Sequence, residues 1–330
     1  MHDSLKHDLK VLYVIGWGRS GSTILDNLLG QIDGFFSAGE LRNIWQEGLV
    51  EGRRCGCGAV VEDCEVWSRV LDKVFSSPDR NMLEPATVVE WERRSLRTRH
   101  TLRVRRAVHD WSKSSAQLKD YASISSDLLT QTAFTTGARV IVDSSKVPAN
   151  AFLLRVLPVE PFYIHLVRDP RAAAYSWRKL KARMDRNEGE PMPRFGVVKS
   201  ATNWNKFNLA AEMLRREAPD RFLFVRYEEF IARPRETIER IVELVGERGA
   251  QLPFRGSSTV HLTQTHTVSG NPSRFRTGEI ELREDREWLT KQRWLDRLVV
   301  TLLTGPLLRR YGYRWRLGRG RELSAFKPSA

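Results

Sequence analysis

Cysteine is scarce in this chain. Only three of the 330 residues are cysteines, and all three, Cys55, Cys57 and Cys64, lie in one short segment. Three neighbouring thiols cannot cross-link distant parts of a chain, which excludes a small disulfide-stapled scaffold. A structural zinc ion needs four ligands, and no fourth cysteine or nearby histidine accompanies the three in sequence. A local disulfide or a thiol-lined turn is therefore favoured, with a metal site as the remaining alternative.

Long hydrophobic runs are also absent. Residues 1–8 are polar, and the apolar run 11–15 that follows is far shorter than the ~20 residues that span a membrane. The apolar stretch 298–308 is interrupted by Thr304, Gly305 and Pro306. The sequence therefore predicts neither a signal peptide nor a membrane-spanning helix, and we expect a soluble cytoplasmic protein.

Acidic residues are outnumbered. The chain has 54 Lys and Arg against 40 Asp and Glu, a net charge of +14, which favours polyanionic ligands. Arginine is densest between Arg93 and Arg106, a pattern that is more typical of a solvated helix face than of a nucleic-acid site. We expect no nucleic-acid partner. The same segment is a candidate for guiding an acidic acceptor or for peripheral membrane contact.

A glycine-rich turn follows the apolar run 11–15 and opens a helical pattern. Gly16 and Gly21 are spaced as in a nucleotide-binding P-loop, but Ser22 stands where such loops carry a phosphate-reaching lysine. The glycines let successive N–H groups and the helix start point at one anion, and Arg19 adds a planar cation. The sequence therefore predicts an oxyanion-binding loop that lacks the usual kinase lysine.

A second anion site is indicated further along the chain. The apolar run from Phe162 ends at Arg168, turns at Pro170 and continues as a helix that carries Ser176. An arginine that leaves a strand and a serine about two turns into the next helix can converge on one phosphate.

These two motifs resemble those of the sulfotransferases that use 3′-phosphoadenosine 5′-phosphosulfate (PAPS), in particular the bacterial and carbohydrate-type members. The resemblance implies that residues 19–23 form the 5′-phosphosulfate loop and that Arg168 and Ser176 bind the 3′-phosphate. Three later segments also resemble the family: 142–146, 226–230 and 266–275. The resemblance covers residues 11–276 and implies a set of donor-binding residues: Gly18, Arg19, Ser20, Gly21, Ser22, Thr23, Arg168, Ser176, Tyr227, Asn271 and Arg274.

The resemblance also assigns catalytic roles. Arg19 and Lys146 are the cations expected to stabilise the group in transfer, and no metal is expected because a sulfuryl group carries less negative charge than a phosphoryl group. Relatives of the cytosolic small-molecule type have a histidine two residues after the matching lysine, but this chain has Pro148 there. Carbohydrate-type relatives use a glutamate shortly after the first helix, which is Glu40 here. Weaker candidates for the base are His109, His165 and His266.

The strand pattern predicts an α/β fold. Apolar runs at about 10–16, 139–143, 161–167 and 221–226 alternate with helical patterns, which is typical of a P-loop-like, mostly parallel sheet flanked by helices. Residues 60–135 read as a helical insertion after the first strand unit, inside one domain that spans residues 1–330. Further helices are expected at 197–217 and 237–245, and 248–280 reads as a loop-rich closing segment.

Three functions remain open at this point. The first is sulfuryl transfer from PAPS to a hydroxyl of a carbohydrate, glycolipid or natural-product acceptor, with Glu40 as base. The second is a small-molecule kinase that uses Mg-ATP, in which Asp143 at a strand end would hold the magnesium ion. The third is a non-catalytic basic binding protein.

Overall fold

A five-stranded parallel sheet forms the centre of the computed structural model, which describes residues 9–78, 80–180, 182, 184–185 and 191–315. Residues 1–8 lie outside this described part. The strand order is β2-β3-β1-β4-β5, and each neighbouring pair is parallel. The strands are β1 (Lys10–Ile15), β2 (Phe35–Gly39), β3 (Val140–Lys146), β4 (Glu160–Val167) and β5 (Phe222–Arg226). The predicted α/β class is confirmed.

Helices cover both faces of this sheet. Along β1, Val11, Tyr13 and Ile15 belong to one apolar core, and Leu12 and Val14 belong to the other, because successive strand residues point to opposite faces. The helices are α1 (Ser22–Leu29), α2 (Trp67–Phe75), α3 (Pro85–Ser95), α4 (Thr101–His109), α5 (Ala116–Thr136), α6 (Pro148–Leu153), α7 (Pro170–Arg178), α8 (Val197–Glu217), α9 (Tyr227–Ala232), α10 (Pro234–Leu244), α11 (Trp288–Lys291) and α12 (Trp294–Arg310). Within the described residues, no helix is both long enough and apolar enough to span a membrane.

The strand β2 was missed by the sequence analysis. Its one neighbouring strand in the described sheet is β3, and its five residues end in Ser37, Ala38 and Gly39, so no long apolar run marks it. The helices α2 to α5 occupy the predicted insertion, but they follow β2 and therefore lie between the second and third strands of the chain. The predicted helices at 197–217 and 237–245 correspond to α8 and α10.

The segment after α10 returns across the end of the sheet. It contains the antiparallel pair β6 (Thr259–Leu262) and β7 (Gly278–Glu281), which are joined by a long loop. In this loop, which we call the closing loop (residues 263–277), Val268 pairs with Gly39 at the end of β2. The backbone N–H of Val268 donates to the carbonyl of Ala38, and the N–H of Glu40 donates to the carbonyl of Val268. The closing loop is thereby fixed beside β2.

Candidate active site

The candidate residues follow the carboxyl ends of the parallel strands. Strand β1 leads into the glycine-rich turn, β3 ends at Lys146, and Glu40, Arg168 and Tyr227 each directly follow a strand. Because the carboxyl ends of parallel strands meet at one edge of a sheet, these residues converge there. The order of the strands reverses around β1, so this edge also holds the crevice in which open α/β sheets bind their ligands.

A cleft of about 940 Å³ lies at this edge. Both motifs and the closing loop line it, as does every residue of the predicted set except Ser20. The predicted residues at its wall are Gly18, Arg19, Gly21, Ser22, Thr23, Glu40, Lys146, Arg168, Ser176, Tyr227, Asn271 and Arg274. The fold therefore gathers residues that are up to 256 positions apart in the chain (Gly18 to Arg274) into one concave site.

The glycine-rich turn passes too close to its neighbours for side chains. A Cβ on Gly16 would lie 2.3 Å from the carbonyl oxygen of Leu166, and one on Gly21 would lie 2.5 Å from the ring of Tyr227. Both glycines also have positive φ angles, 144° and 90°. The turn can therefore follow this path only with glycine at these two positions.

Backbone strain concentrates at the cleft. Among the described residues, three non-glycine residues have positive φ: Arg19 at 67°, Lys146 at 69° and Ser269 at 56°. All three line the cleft. Left-handed backbone costs a non-glycine residue ~1–3 kcal/mol, so the surrounding fold must hold these three in place.

Three buried hydrogen-bond donors at or near the turn have no partner among the residues that the structure describes. They are Nε of Arg19, Oγ of Ser20 and Nε of Arg168. The Arg19 guanidinium lies 4.8 Å from the ring centre of Trp177, and burial lowers its pKa while the charge of Glu40 opposes that shift. An unsatisfied buried polar group costs ~1–3 kcal/mol, so an oxyanion placed here would satisfy donors that the protein leaves open.

Arg168 connects the turn to the far side of the cleft. It is buried, its Nη1 donates to the carbonyl of Arg19 over 3.2 Å, and its guanidinium lies 4.5 Å from the ring centre of Tyr227. Its Nη2 donates to the backbone carbonyl of Asp285 over 3.1 Å. The same Nη2 lies 3.4 Å from the side-chain carboxylate of Asp285. Burial would raise the pKa of Asp285, but the charges of Arg168 and Lys179 outweigh it and lower the pKa. The sequence analysis did not identify Asp285.

Glu40 and Lys146 form an ion pair inside the cleft. Lys146 Nζ lies 2.8 Å from Oε1 of Glu40 and also donates to the carbonyl of Ser144 over 2.6 Å. The other carboxylate oxygen of Glu40 accepts from the side-chain amide of Asn43. Both partners of the pair are mostly buried but reach the cleft. The predicted base and one predicted cation are thus adjacent.

The guanidinium of Arg274 is hydrogen-bonded to two backbone carbonyls. Arg274 lines the cleft, yet its Nη1 donates to the carbonyl of Thr267 and its Nη2 donates to the carbonyl of Arg54, so its guanidinium braces the closing loop. Two positions later, Arg276 also lines the cleft, and its side chain is exposed. Arg274 was predicted from the motif 266–275, whereas Arg276 follows that motif directly and was not predicted.

None of the three histidine candidates lines the cleft. His165 is fully buried in β4, where its Nε2 lies 2.7 Å from the side-chain oxygen of Asn208 and burial lowers its pKa to about 4. His109 is exposed on α4. His266 instead lies beside Cys64, with its Nδ1 3.2 Å from the sulfur. Glu40 is therefore the candidate base that the cleft retains.

The remaining sequence candidates lie outside the cleft. Asp143 is buried beneath it, and its carboxylate accepts from the N–H and the hydroxyl of Ser145. The arginine-rich segment 93–106 lies on α3, α4 and the turn between them, and several of its side chains are paired, as in the Arg94–Glu90 and Arg105–Glu217 ion pairs. No residue of that segment lines the cleft.

A buried carboxyl beneath the turn predicts an unusual pH dependence of stability. Asp26 in α1 is 1% exposed, and burial raises its pKa to about 8. Between pH ~4 and 8 the folded protein therefore binds a proton that the unfolded chain has lost, so this group destabilises the fold as pH rises. As the pH rises from 5 to 8, the unfolding free energy of Asp26→Asn should increase relative to that of the wild type by on the order of 3 kcal/mol. Urea titrations at both pH values measure this, and parallel pH profiles for the two proteins would contradict it.

The chain is similar to several known proteins. A model of the sulfotransferase family matches residues 12–248. The sulfotransferase domain of the Synechococcus PCC 7002 olefin synthase is 19% identical to the chain, with 94% of this chain and 97% of that one covered and a TM-score of 0.45. Sulfotransferase STF9 from Mycobacterium avium is 14% identical, with 93% and 78% covered and a TM-score of 0.47. A comparison with curated proteins gave no match.

Proposed function

Because this chain belongs to the sulfotransferase family, we propose that it transfers the sulfuryl group of PAPS to a hydroxyl of a carbohydrate, glycolipid or natural-product acceptor. Family membership establishes sulfuryl transfer in general. The donor and the acceptor class are our inference. One observation supports them most: Arg19 and Arg168, whose buried Nε donors have no partner among the described residues, line the same cleft as the Glu40–Lys146 ion pair.

The donor would extend from the glycine-rich turn towards β5. The N–H groups of residues 18–23, the Ser20 hydroxyl and the Arg19 fork would hold the 5′-phosphosulfate, since the first N–H groups of α1 have no intrahelical acceptor. Arg168 and Ser176 would hold the 3′-phosphate, and Tyr227 would lie near the adenine. For this, Arg168 must exchange Asp285 for the phosphate. Asn271 would contact the donor from the closing loop, with Arg274 bracing that loop and Arg276 supplying an exposed cation.

The transfer step needs a base and a cation close together. In the proposed step, the acceptor oxygen attacks the sulfur in line with the bridging oxygen, the bond from sulfur to that oxygen breaks, and Glu40 takes the acceptor proton. The bridging oxygen leaves on adenosine 3′,5′-bisphosphate and gains negative charge, which Lys146 and Arg19 would stabilise. Lys146 suits this task because a flexible ammonium can follow the departing oxygen.

Charged side chains in the wall of the cleft favour a polar acceptor. There Arg53 forms an ion pair with Glu47 and lies 3.8 Å from the carboxylate of Asp185, and all three line the cleft. Such groups hydrogen-bond hydroxyls, while Met184 and Met192 nearby offer apolar contact. A hydroxylated molecule with some apolar surface matches both features better than a purely aliphatic one does.

The kinase alternative is not supported. A magnesium-dependent kinase needs a carboxylate that reaches the bound phosphates. Asp143 does not line the cleft, and its carboxylate accepts two hydrogen bonds from Ser145. The turn also has Ser22 in place of the lysine.

Transfer of labelled sulfate tests this function. We expect [³⁵S]PAPS and the purified protein to label a compound in small-molecule or lipid extracts of the host, equally well with magnesium or with a chelator. Heat-inactivated protein is the control for background labelling. A labelled product that forms only with magnesium, or no product from any extract at protein concentrations that bind the nucleotide, would contradict the proposal.

A further inference from the structure

Three cysteines and one histidine of the closing loop have their ligand atoms close together. The ligand atoms of all four residues lie within 4.8 Å of one another. Cys55 and Cys64 are buried, and Cys57 and His266 are half-buried. We propose that this cluster binds a structural zinc ion through Cys55, Cys57, Cys64 and His266. The sequence analysis found no fourth ligand because His266 is 202 positions away from Cys64 in the chain.

The ligand set selects the metal and its role. Three thiolates and one imidazole are soft and borderline donors, which in a four-coordinate tetrahedral site favour zinc over magnesium or calcium. Four protein ligands would leave no position for water or substrate, as in structural zinc sites. None of the four residues lines the cleft, which also separates this site from the proposed transfer chemistry.

The surroundings of the four residues resemble those of a ligated metal. Nδ1 of His266 faces Cys64 over 3.2 Å, while its Nε2 lies 3.6 Å from the carboxylate of Glu65. A carboxylate this near the far ring nitrogen favours a proton on Nε2, which leaves Nδ1 free to bind a metal. This contact orients the His266 ligand.

The local backbone is shaped for close approach. The N–H of Gly56 donates to the carbonyl of Thr267, and a Cβ on Gly56 would lie 2.5 Å from the Thr267 hydroxyl. The indole N–H of Trp67 donates to the carbonyl of His266 over 2.6 Å. Residues 55–57 and the closing loop are therefore held against each other where the four ligand atoms lie close together.

The proposed ion would tie the start of the helical insertion to the closing loop. His266 precedes Val268, which pairs with β2 beside Glu40, and Ser269 to Asn271, which line the cleft. A metal at His266 would therefore fix the part of the loop that contacts the proposed donor. The claim about metal binding does not depend on the identity of that donor.

Metal content tests the proposal directly. The full chain, produced with zinc in the medium and purified with a non-chelating reductant, should contain one zinc per chain by inductively coupled plasma mass spectrometry. Replacement by Co²⁺ should give the visible absorption of a tetrahedral cobalt–thiolate site. Less than a tenth of an equivalent of zinc after reconstitution, a disulfide by intact-mass analysis under non-reducing conditions, or a cobalt spectrum without thiolate bands would overturn it.

Two histidine variants separate a specific site from adventitious zinc. His266→Asn should weaken zinc binding at least about a hundredfold in competition with a chromophoric chelator, because it removes one of four ligands. His261→Asn, on β6 and outside the cluster, is the matched control and should bind zinc as the wild type does. Equal zinc affinities for the two variants would overturn the assignment, even where both fold.

Discussion

Replacing Glu40 by glutamine should lower kcat by about a hundred- to ten-thousandfold, the usual contribution of a general base, and leave the KM for PAPS within a few-fold of the wild-type value. Glutamine keeps the shape of the side chain and its hydrogen bond with Asn43 but cannot take the acceptor proton. Lys146 would lose its ion-pair partner and keep its hydrogen bond to the Ser144 carbonyl. Steady-state kinetics with the acceptor found in the labelling experiment would measure both constants.

Glu47→Gln is the matched control for this variant. Among the described residues, Glu47 is the other glutamate in the cleft wall, and it forms an ion pair with Arg53 and accepts from the hydroxyl of Ser269. We expect it to affect kcat by less than about tenfold, since it orients the wall and takes no proton. If Glu47→Gln carried the larger loss, the base would be Glu47. A loss of nucleotide affinity in Glu40→Gln would instead make Glu40 a structural residue.

Arg168→Lys should weaken the binding of adenosine 3′,5′-bisphosphate by about a hundredfold. A guanidinium holds a phosphate through two parallel hydrogen bonds, and each charged bond contributes ~1.5–3 kcal/mol. Lysine keeps the charge but lacks the fork and the Nε donor, which has no protein partner in Arg168. Isothermal titration calorimetry of the two proteins measures the difference.

Arg171→Lys controls for the loss of a buried guanidinium. Arg171 is also buried and lies three residues later, but its side chain is paired with Asp169 and it does not line the cleft. The Arg171→Lys variant should keep the nucleotide affinity of the wild type, although the substitution can lower the melting temperature. Equal losses of affinity in both variants would show that Arg168 acts through the fold, and unchanged affinity in Arg168→Lys would remove it from the phosphate site.

The sheet was predictable where its strands are apolar on both faces. Strands β1, β3, β4 and β5 were placed from the sequence because helices cover both sides of the sheet, so nearly every residue of β1 or β4 is apolar. Strand β2 lies at the edge of the described sheet with β3 as its one neighbouring strand, and its Ser37 and Gly39 interrupt the pattern. An edge strand of this composition carries too little hydrophobic signal to be distinguished from a turn.

The site was predictable where its residues share a local motif. Arg19 lies in the turn after β1, Lys146 ends β3 and Arg168 directly follows β4, and parallel topology brings the carboxyl ends of these strands together. Contacts between distant segments gave no such signal. Asp285 meets Arg168 across 117 positions, and His266 meets Cys64 across 202, so only the folded chain reveals either pair.

The central claim is that the glycine-rich turn and Arg168 hold a doubly phosphorylated adenosine without metal. Calorimetric titration of the purified protein with adenosine 3′,5′-bisphosphate, in a buffer that contains EDTA, tests it most directly. We expect binding of one nucleotide per chain with micromolar or tighter affinity, and weaker binding of adenosine 5′-monophosphate, which lacks the 3′-phosphate. No heat of binding, or affinity for ATP that appears only with magnesium, would contradict the account.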